Sequence, residues 1–346
     1  MTRDQFRPPN HPTEAFLLTT VVGSHPCPAW LNTLIDQYEQ GDLEEAVFDE
    51  ARDDATKAIL ADYERAGLDV VTDGEVRRTG MVEHFTPFID GYDAGDDDDP
   101  ADWNAHMPTV TDTVSSQTSW LADDFQFAQR VSPRPVKVTL PGPFTFSSFC
   151  SLDAYDDMEA LIADFTEVVR GEVSRLVAAG VQWIQLDEPA LGMSPHVEIA
   201  RESVERISTA VPNDVRFGIH ICSGNYETLA PAIFSFSVDE VDLELASDNA
   251  DELGTVFDEI ETYDIDVSVG VVDTQDKTVE SVAEIKSNIR DVLEIIPPHR
   301  LTLTPDCGMK PLPRQVALEK VTNLTTAARS IEAELDAGRS EIEVAE

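Results

Sequence analysis

His220 and Cys222 stand two residues apart in Gly218-Ile219-His220-Ile221-Cys222, at the end of an apolar, β-branched run from Val215 to Ile221. On a strand, side chains two apart point the same way, so an imidazole and a thiol lie side by side. That is half of a zinc site, which takes four nitrogen, sulfur or oxygen ligands in a tetrahedron at roughly 2.0–2.3 Å. The bland alternative is a half-buried histidine beside a small apolar cysteine. Two later segments offer the other half: Glu244 in Val241-Asp242-Leu243-Glu244-Leu245, and Cys307 in Pro305-Asp306-Cys307-Gly308. Alone, Glu244 reads as an outward, solvated strand residue and Cys307 as a buried small one. Together, at the ends of three strands, they complete a zinc centre of His220, Cys222, Glu244 and Cys307. With two thiolates bound, zinc is a poorer Lewis acid for water and better suited to deprotonating an incoming thiol, since the thiolate is the nucleophile. A glutamate ligand can give way to that thiol. The chemistry indicated is alkylation of a thiol rather than hydrolysis.

Positioning those residues requires a repeating frame. Phe16–Val22 reads as a buried strand, and Leu43–Ala66 carries helical spacing that Gly67 ends. Asp69–Thr72 is a short second strand. From about Asp90 to Pro135 the rhythm breaks, with an exposed acidic loop at Asp96–Asp99, a Ser/Thr-rich stretch and a helix near Leu121–Gln129. The acidic loop lacks the glycine and distal glutamate of a calcium loop. Strands then follow at Val136–Leu140, Val181–Leu186, Val215–Ile221, Val241–Leu245, Val267–Val272 and Arg300–Thr304. Helices are expected at Tyr155–Ala179, Val197–Ala210, Asn225–Ser235, Asp251–Tyr263, Val279–Ile296 and Leu312–Leu335. Eight strands alternating with helices predict an α/β fold, a (β/α)8 TIM barrel with a long insertion between strands two and three. The runner-up is a doubly wound open sheet, weakened because no G-x-G-x-x-G follows the first strand. Ser24, Glu75, Asp187, His220, Cys222, Glu244, Asp273 and Cys307 all fall at or just beyond strand C-termini, which converge on one face of a barrel. The boundaries are a polar lead-in at 1–15, the barrel at 16–337 and an acidic tail at 338–346.

Of the 346 residues, 42% are hydrophobic, enough for a large core. The formal net charge is −43, and Lys57, Lys137, Lys277, Lys286, Lys310 and Lys320 are the only lysines. The acids run through the whole chain, the pattern of a solvated surface in a salt-rich, halophilic cytoplasm that screens self-repulsion. Nucleic acid is disfavoured, because phosphate contacts need clustered Lys and Arg. No apolar run reaches a membrane span and the start lacks the apolar core of a signal peptide, so no membrane is expected and a cytoplasmic protein is. Cys27, Cys150, Cys222 and Cys307 form no disulfide framework and read as free thiols.

Several stretches are similar to one family. Thr19–Pro26 (TTVVGSHP), Leu68–Phe85 (LDVVTDGEVRRTGMVEHF), Val136–Phe146 (VKVTLPGPFTF) and Ile184–Leu191 (IQLDEPAL) resemble the catalytic, C-terminal barrel of cobalamin-independent methionine synthase. So do His220–Cys222, Val241–Glu244, Val269–Asp273 and Leu303–Lys310, and the likeness runs from Leu18 to about Arg329. The resemblance implies the same four zinc ligands and a methyl transfer to homocysteine, giving methionine. It also implies a homocysteine site: Ser24 and the Val22–Gly23 backbone meet the carboxylate, while Glu75 and Asp187 hold the ammonium. Opposite charges and N–H donors suit those two ends. The ordinary reading of Glu75 and Asp187 is as helix-cap or loop salt-bridge residues.

The chain departs from the family on the donor side. The family is a double barrel whose N-terminal half has no counterpart here, so a separate chain is a candidate to replace it. A family D-x-His thought to aid proton transfer reads Asp273-Thr274-Gln275, and Gln exchanges no proton near neutral pH. Asp273 is left as a catalytic residue that orients groups near the donor. The folate-stacking Trp aligns with Phe149, and a pterin-contacting Glu with Met193. The methyl donor is therefore open between a methyl-folate and a methyl-corrinoid protein. Two alternatives stand beside homocysteine methylation: transfer to another thiol such as coenzyme M, and a zinc- and amino-acid-binding protein without catalysis.

Overall fold

The computed structural model describes residues 3–9, 11, 15–94, 107–152, 154–193, 197–222, 226–230, 232–244, 246, 257 and 260–345. Its strands are β1 (Leu18–Thr19), β2 (Asp90–Asp93), β3 (Thr109–Ser115), β4 (Val138–Pro141), β5 (Ser151–Leu152), β6 (Trp183–Asp187), β7 (Arg216–Ile221), β8 (Glu240–Leu243), β9 (Asp266–Gly270) and β10 (Leu301–Thr304). Seven of them form one parallel sheet in the order β1-β10-β9-β8-β7-β6-β4. The gap between β4 and β1 is filled by the expected second strand, shortened to a single parallel bridge, Val71 to Val136. Asp69 and Val70 donate their N–H groups to the Thr19 carbonyl on one side, and Val71 to Pro135 on the other. Eight staves therefore close the (β/α)8 barrel that the alternation predicts.

The staves are buried on both faces and alternate apolar residues with buried polar ones such as Thr139, Gln185, Glu240, Asp242, Thr302 and Thr304, and the helices pack outside them. Helix Glu45–Ala66 stops where Gly67 takes φ +83°, a left-handed conformation that a side chain would strain. Helix Met158–Ala179 is capped by the Asp157 side chain, and Val282–Leu293 by a reciprocal Ser281–Glu284 box. The last helix runs from Arg314 to Ala345, so the stretch expected as an acidic tail is helical to that point. The expected helix at Asp251–Tyr263 and the acidic loop at Asp96–Asp99 lie largely outside the described residues. Among the described residues no helix is long and apolar enough to cross a membrane.

The insertion is folded. β2, β3 and β5 make a small sheet in that order, antiparallel then parallel, and helix Ala122–Val131 follows. Thr109–Ser115, part of the Ser/Thr-rich stretch for which no element was expected, is a strand of alternating Thr and Val. Glu172, fully buried on helix Met158–Ala179, accepts from Ser119 Oγ and from the Trp120 and Leu121 N–H groups at 2.9–3.0 Å, which anchors the insertion to the barrel.

Candidate metal and amino-acid site

Parallel pairing sets Asp187 of β6 opposite His220 of β7, and His220 opposite Asp242 of β8. Three polar side chains thus share one row at the barrel's C-terminal end. His220 is buried and its Nδ1 lies 3.2 Å from Asp242 Oδ2. Thr304 Oγ1 donates to the other Asp242 oxygen at 3.3 Å. A carboxylate on one ring nitrogen fixes the ring's orientation and frees the opposite nitrogen for another partner. Among the described residues, the buried His220 Nε2 meets no hydrogen-bond partner.

Cys222 and Cys307 stand beside that nitrogen. The ligand atoms of His220, Cys222 and Cys307 all lie within 4.8 Å of one another. Cys307 accepts the Cys222 S–H hydrogen bond and has the His220 ring and the Gly308 N–H beside it, which holds its thiol below the ordinary range. Cys222, the donor of that bond and buried, is pushed up. Against burial, which favours the neutral ring, the Cys222 sulfur and the Asp242 carboxylate keep a proton on His220. His220, Cys222 and Cys307 form a buried triangle whose protons a cation would displace. Glu244 is buried just after β8, with its N–H toward Tyr226 Oη at 3.3 Å, and is not one of the three grouped residues.

A cavity of about 380 Å³ opens over this triangle. Its wall includes His220, Cys222 and Cys307, and also Val22, Gly23, Ser24, Glu75 and Asp187. Glu75 sits at φ +54°, where only glycine and a few short polar residues rest easily. Thr139 Oγ1 donates to Glu75 Oε1 at 2.8 Å and Arg78 Nη1 lies 3.1 Å from the same oxygen, so the strained turn is held from two sides. Gly23 leaves the room: a Cβ there would stand 2.3 Å from Glu75 Oε1. Asp187 accepts from Gln185 Nε2 at 2.7 Å. Burial pushes its carboxyl up to about 7; the Glu75 charge adds to the rise while His220 opposes it. Two carboxylates facing one cavity suit a cationic guest.

Asp273 is placed elsewhere. It follows β9, accepts from the Gln275 N–H at 2.7 Å and donates its own N–H to Glu280, as a loop-shaping aspartate does, and it does not line the cavity. Gln275 is exposed and Phe149 is half-buried. Three residues that matter here were given no role from the sequence: Asp242, Arg78 and Thr139. Asp242 carried a signal, since it lies two residues before Glu244 on the same strand face.

A family described as "Cobalamin-independent synthase, Catalytic domain" matches residues 17–330. A protein named methionine synthase from Sulfolobus acidocaldarius is 34% identical over 324 residues, covering 92% of this chain and 93% of the relative. One of the same name from Pyrococcus furiosus is 32% identical over 334 residues, covering 94% and 96%. Among solved structures, a B12-independent methionine synthase from Shewanella sp. W3-18-1 in complex with selenomethionine superposes with TM-score 0.77 at 27% identity, covering 93% of this chain and 99% of that one. A second, from Listeria monocytogenes, has TM-score 0.75 at 20% identity, covering 90% and 96%, and speaks for the fold alone.

Proposed function

The chain belongs to the cobalamin-independent methionine synthase family, and from that premise we propose which residues bind metal and substrate. It is a methyltransferase that acts on homocysteine to give methionine. The observation that carries the residue assignment is one cavity holding a His–Cys–Cys triangle and a pair of carboxylates together. His220, Cys222 and Cys307 are the proposed zinc ligands. Glu244, buried on the neighbouring strand, is the fourth and the one that yields to substrate. The orphaned His220 Nε2 and the low-lying Cys307 thiol support a cation there. Bound zinc would lower the pKa of the homocysteine thiol so that a thiolate is present at neutral pH.

The remaining work falls to the chain's own groups. Glu75 and Asp187 receive the homocysteine ammonium, whose charge would pull Asp187 back into the ionised state. Ser24 Oγ and the Val22–Gly23 backbone receive the carboxylate. Held at both ends, the substrate presents its sulfur towards the triangle, and orientation of this kind removes much of the entropic cost of a bimolecular step. Asp242 keeps the His220 ring aligned. Asp273 is proposed to shape the loop after β9 near the donor rather than to touch homocysteine. The donor is a methyl-folate or a methyl-corrinoid protein, with a separate chain as a candidate partner. A sulfonate thiol such as coenzyme M fits less well, because its head group would meet two carboxylates.

The net charge of −43 supports a salt-rich cytoplasm as the setting. Full retention of structure after removal of salt would contradict that placement. The function is tested with zinc-loaded enzyme, homocysteine and each donor class: methionine formation is expected with one of them. No turnover with any donor, from protein that holds zinc and binds homocysteine, would leave a binding protein instead.

A further inference from the structure

Lys137 stands just before β4 and is buried, with its Nζ 5.3 Å from the Trp183 ring centroid. A lysine taken out of water needs a partner to offset the loss of hydration. Its Nζ donates to Gln185 Oε1 at 2.5 Å and makes no ion pair among the described residues. Gln185 and Asp187 lie two apart on β6, so their side chains leave the strand on the same face. Buried Gln185 donates through Nε2 to Asp187 Oδ1 at 2.7 Å and to the Val22 carbonyl at 3.2 Å. A backbone carbonyl only accepts, so the amide nitrogen is the atom on that side and the amide oxygen faces Lys137.

One side chain thus braces both walls of the amino-acid site. Asp187 receives the ammonium, and Val22 belongs to the segment that receives the carboxylate. Held through Oδ1, Asp187 keeps Oδ2 for the guest. Lys137 decides how the bracing amide is turned. Without a donor below it, Gln185 Oε1 would be a buried acceptor left unsatisfied. Turned over, the amide would set its oxygen against the Val22 carbonyl and the Asp187 carboxylate, three acceptors together. The acids at the lower end of the barrel have their own cation, because Arg216 pairs with Glu240 and Asp266. The Lys137 hydrogen bond runs instead up the barrel, to the amide.

We propose that Lys137 and Gln185 are positioning residues for the amino-acid substrate: Lys137 locks the Gln185 amide, and Gln185 holds the Asp187 carboxylate towards the α-ammonium. The brace makes the site selective for a thiol that carries that ammonium. The inference rests on the homocysteine assignment above. Neither residue lines the cavity, so both act through Asp187 and not by touching substrate.

Calorimetry on zinc-loaded protein tests the brace with homocysteine and with 4-mercaptobutanoate, the same thiol acid without its amine. Wild type should bind homocysteine about 10- to 100-fold more tightly, the range of a hydrogen-bonded charge. Lys137→Met and Gln185→Met should each shrink that ratio by about tenfold, with zinc content unchanged and 4-mercaptobutanoate affinity within about threefold. The double variant should match Gln185→Met, because the lysine acts through the amide. Thr302→Val removes a buried hydrogen bond to Glu240 at the lower end, and its ratio should match wild type. A wild-type ratio in Lys137→Met, or a further drop in the double variant beyond Gln185→Met, would overturn the proposal and leave the homocysteine assignment standing. An equal loss in Thr302→Val would also overturn it, as general loosening of the barrel. If Lys137→Met does not fold, Gln185→Met and the double variant carry the test, and a wild-type ratio in either overturns the brace. A wild type that binds both thiols equally would remove the ammonium assignment at Glu75 and Asp187, and the brace with it.

Discussion

At the N-terminal end of the barrel, Arg216 is fully buried and pairs with Glu240 at 2.6 Å and Asp266 at 2.8 Å, while its guanidinium lies 5.1 Å from the Trp183 ring centroid. Glu240 also accepts from Thr302 at 2.8 Å, Lys137 sits over the same indole, and Phe6 packs on it from outside at 5.1 Å. At the C-terminal end the same kinds of group are left open. Among the described residues His220 keeps one ring nitrogen without a hydrogen-bond partner, and Glu75 is held at positive φ. Buried charge without a guest is matched and plugged at the lower end; at the upper end it is arranged around a cavity. The difference teaches that polarity inside a barrel is not itself a functional signal. Incomplete polarity beside a space is.

The sharpest break of that contrast is Arg216→Met, which leaves Glu240 buried without its cation. It should cost about 3–5 kcal/mol in denaturant unfolding and leave zinc affinity of the folded fraction unchanged. A neutral result would mean that the lower end is not the structural anchor. Next in size is Asp242→Asn, which loosens the His220 ring: zinc affinity should fall by about 10- to 100-fold in a chelator competition, with little change in unfolding free energy. Glu75→Gln keeps a contact with Thr139 but loses a charge, and should weaken homocysteine binding by about tenfold with zinc content intact.

The smallest effect concerns His25. Burial lowers its pKa to about 4, below the ordinary 6.5. The unfolded chain therefore takes up this proton first as pH falls, and the associated stability, present above pH 6.5, is lost progressively between 6.5 and 4. His25→Phe, which retains the ring packed edge-on against Tyr63, should remove that loss, worth on the order of 1 kcal/mol at about pH 5.5. Equal acid sensitivity of variant and wild type would show that His25 is solvated.

Much of the upper end was legible because the strands could be placed by their alternation with helices, and a polar residue at a strand's C-terminal end has one place to go. That logic found His220, Cys222, Asp187 and Ser24 from alternation and position. It could not see Asp242 as the partner of His220, because strand register, not spacing along the chain, sets that contact. Asp69–Thr72 reads as a short strand and makes one bridge, since its backbone donors divide between Thr19 and Pro135. Thr109–Ser115 lacked the large apolar residues that announce a strand and pairs outside the barrel sheet, with β2 and with the short β5 that follows β4. Asp273 sits at a strand end as the others do, but its own loop occupies its carboxylate. The lower end was not legible: Arg216, Glu240 and Asp266 are far apart in sequence, and each resembles an ordinary strand-edge charge.

The central claim is that the open polar groups at the upper end form a metal centre whose metal takes the substrate sulfur. X-ray absorption at the zinc edge, on zinc-loaded enzyme with and without homocysteine, tests it most directly. The account predicts that homocysteine adds one sulfur neighbour to the metal in place of an oxygen, and that Cys307→Ser lacks one sulfur in both states. An edge that does not change on adding homocysteine, in protein shown by calorimetry to bind it, would contradict the account.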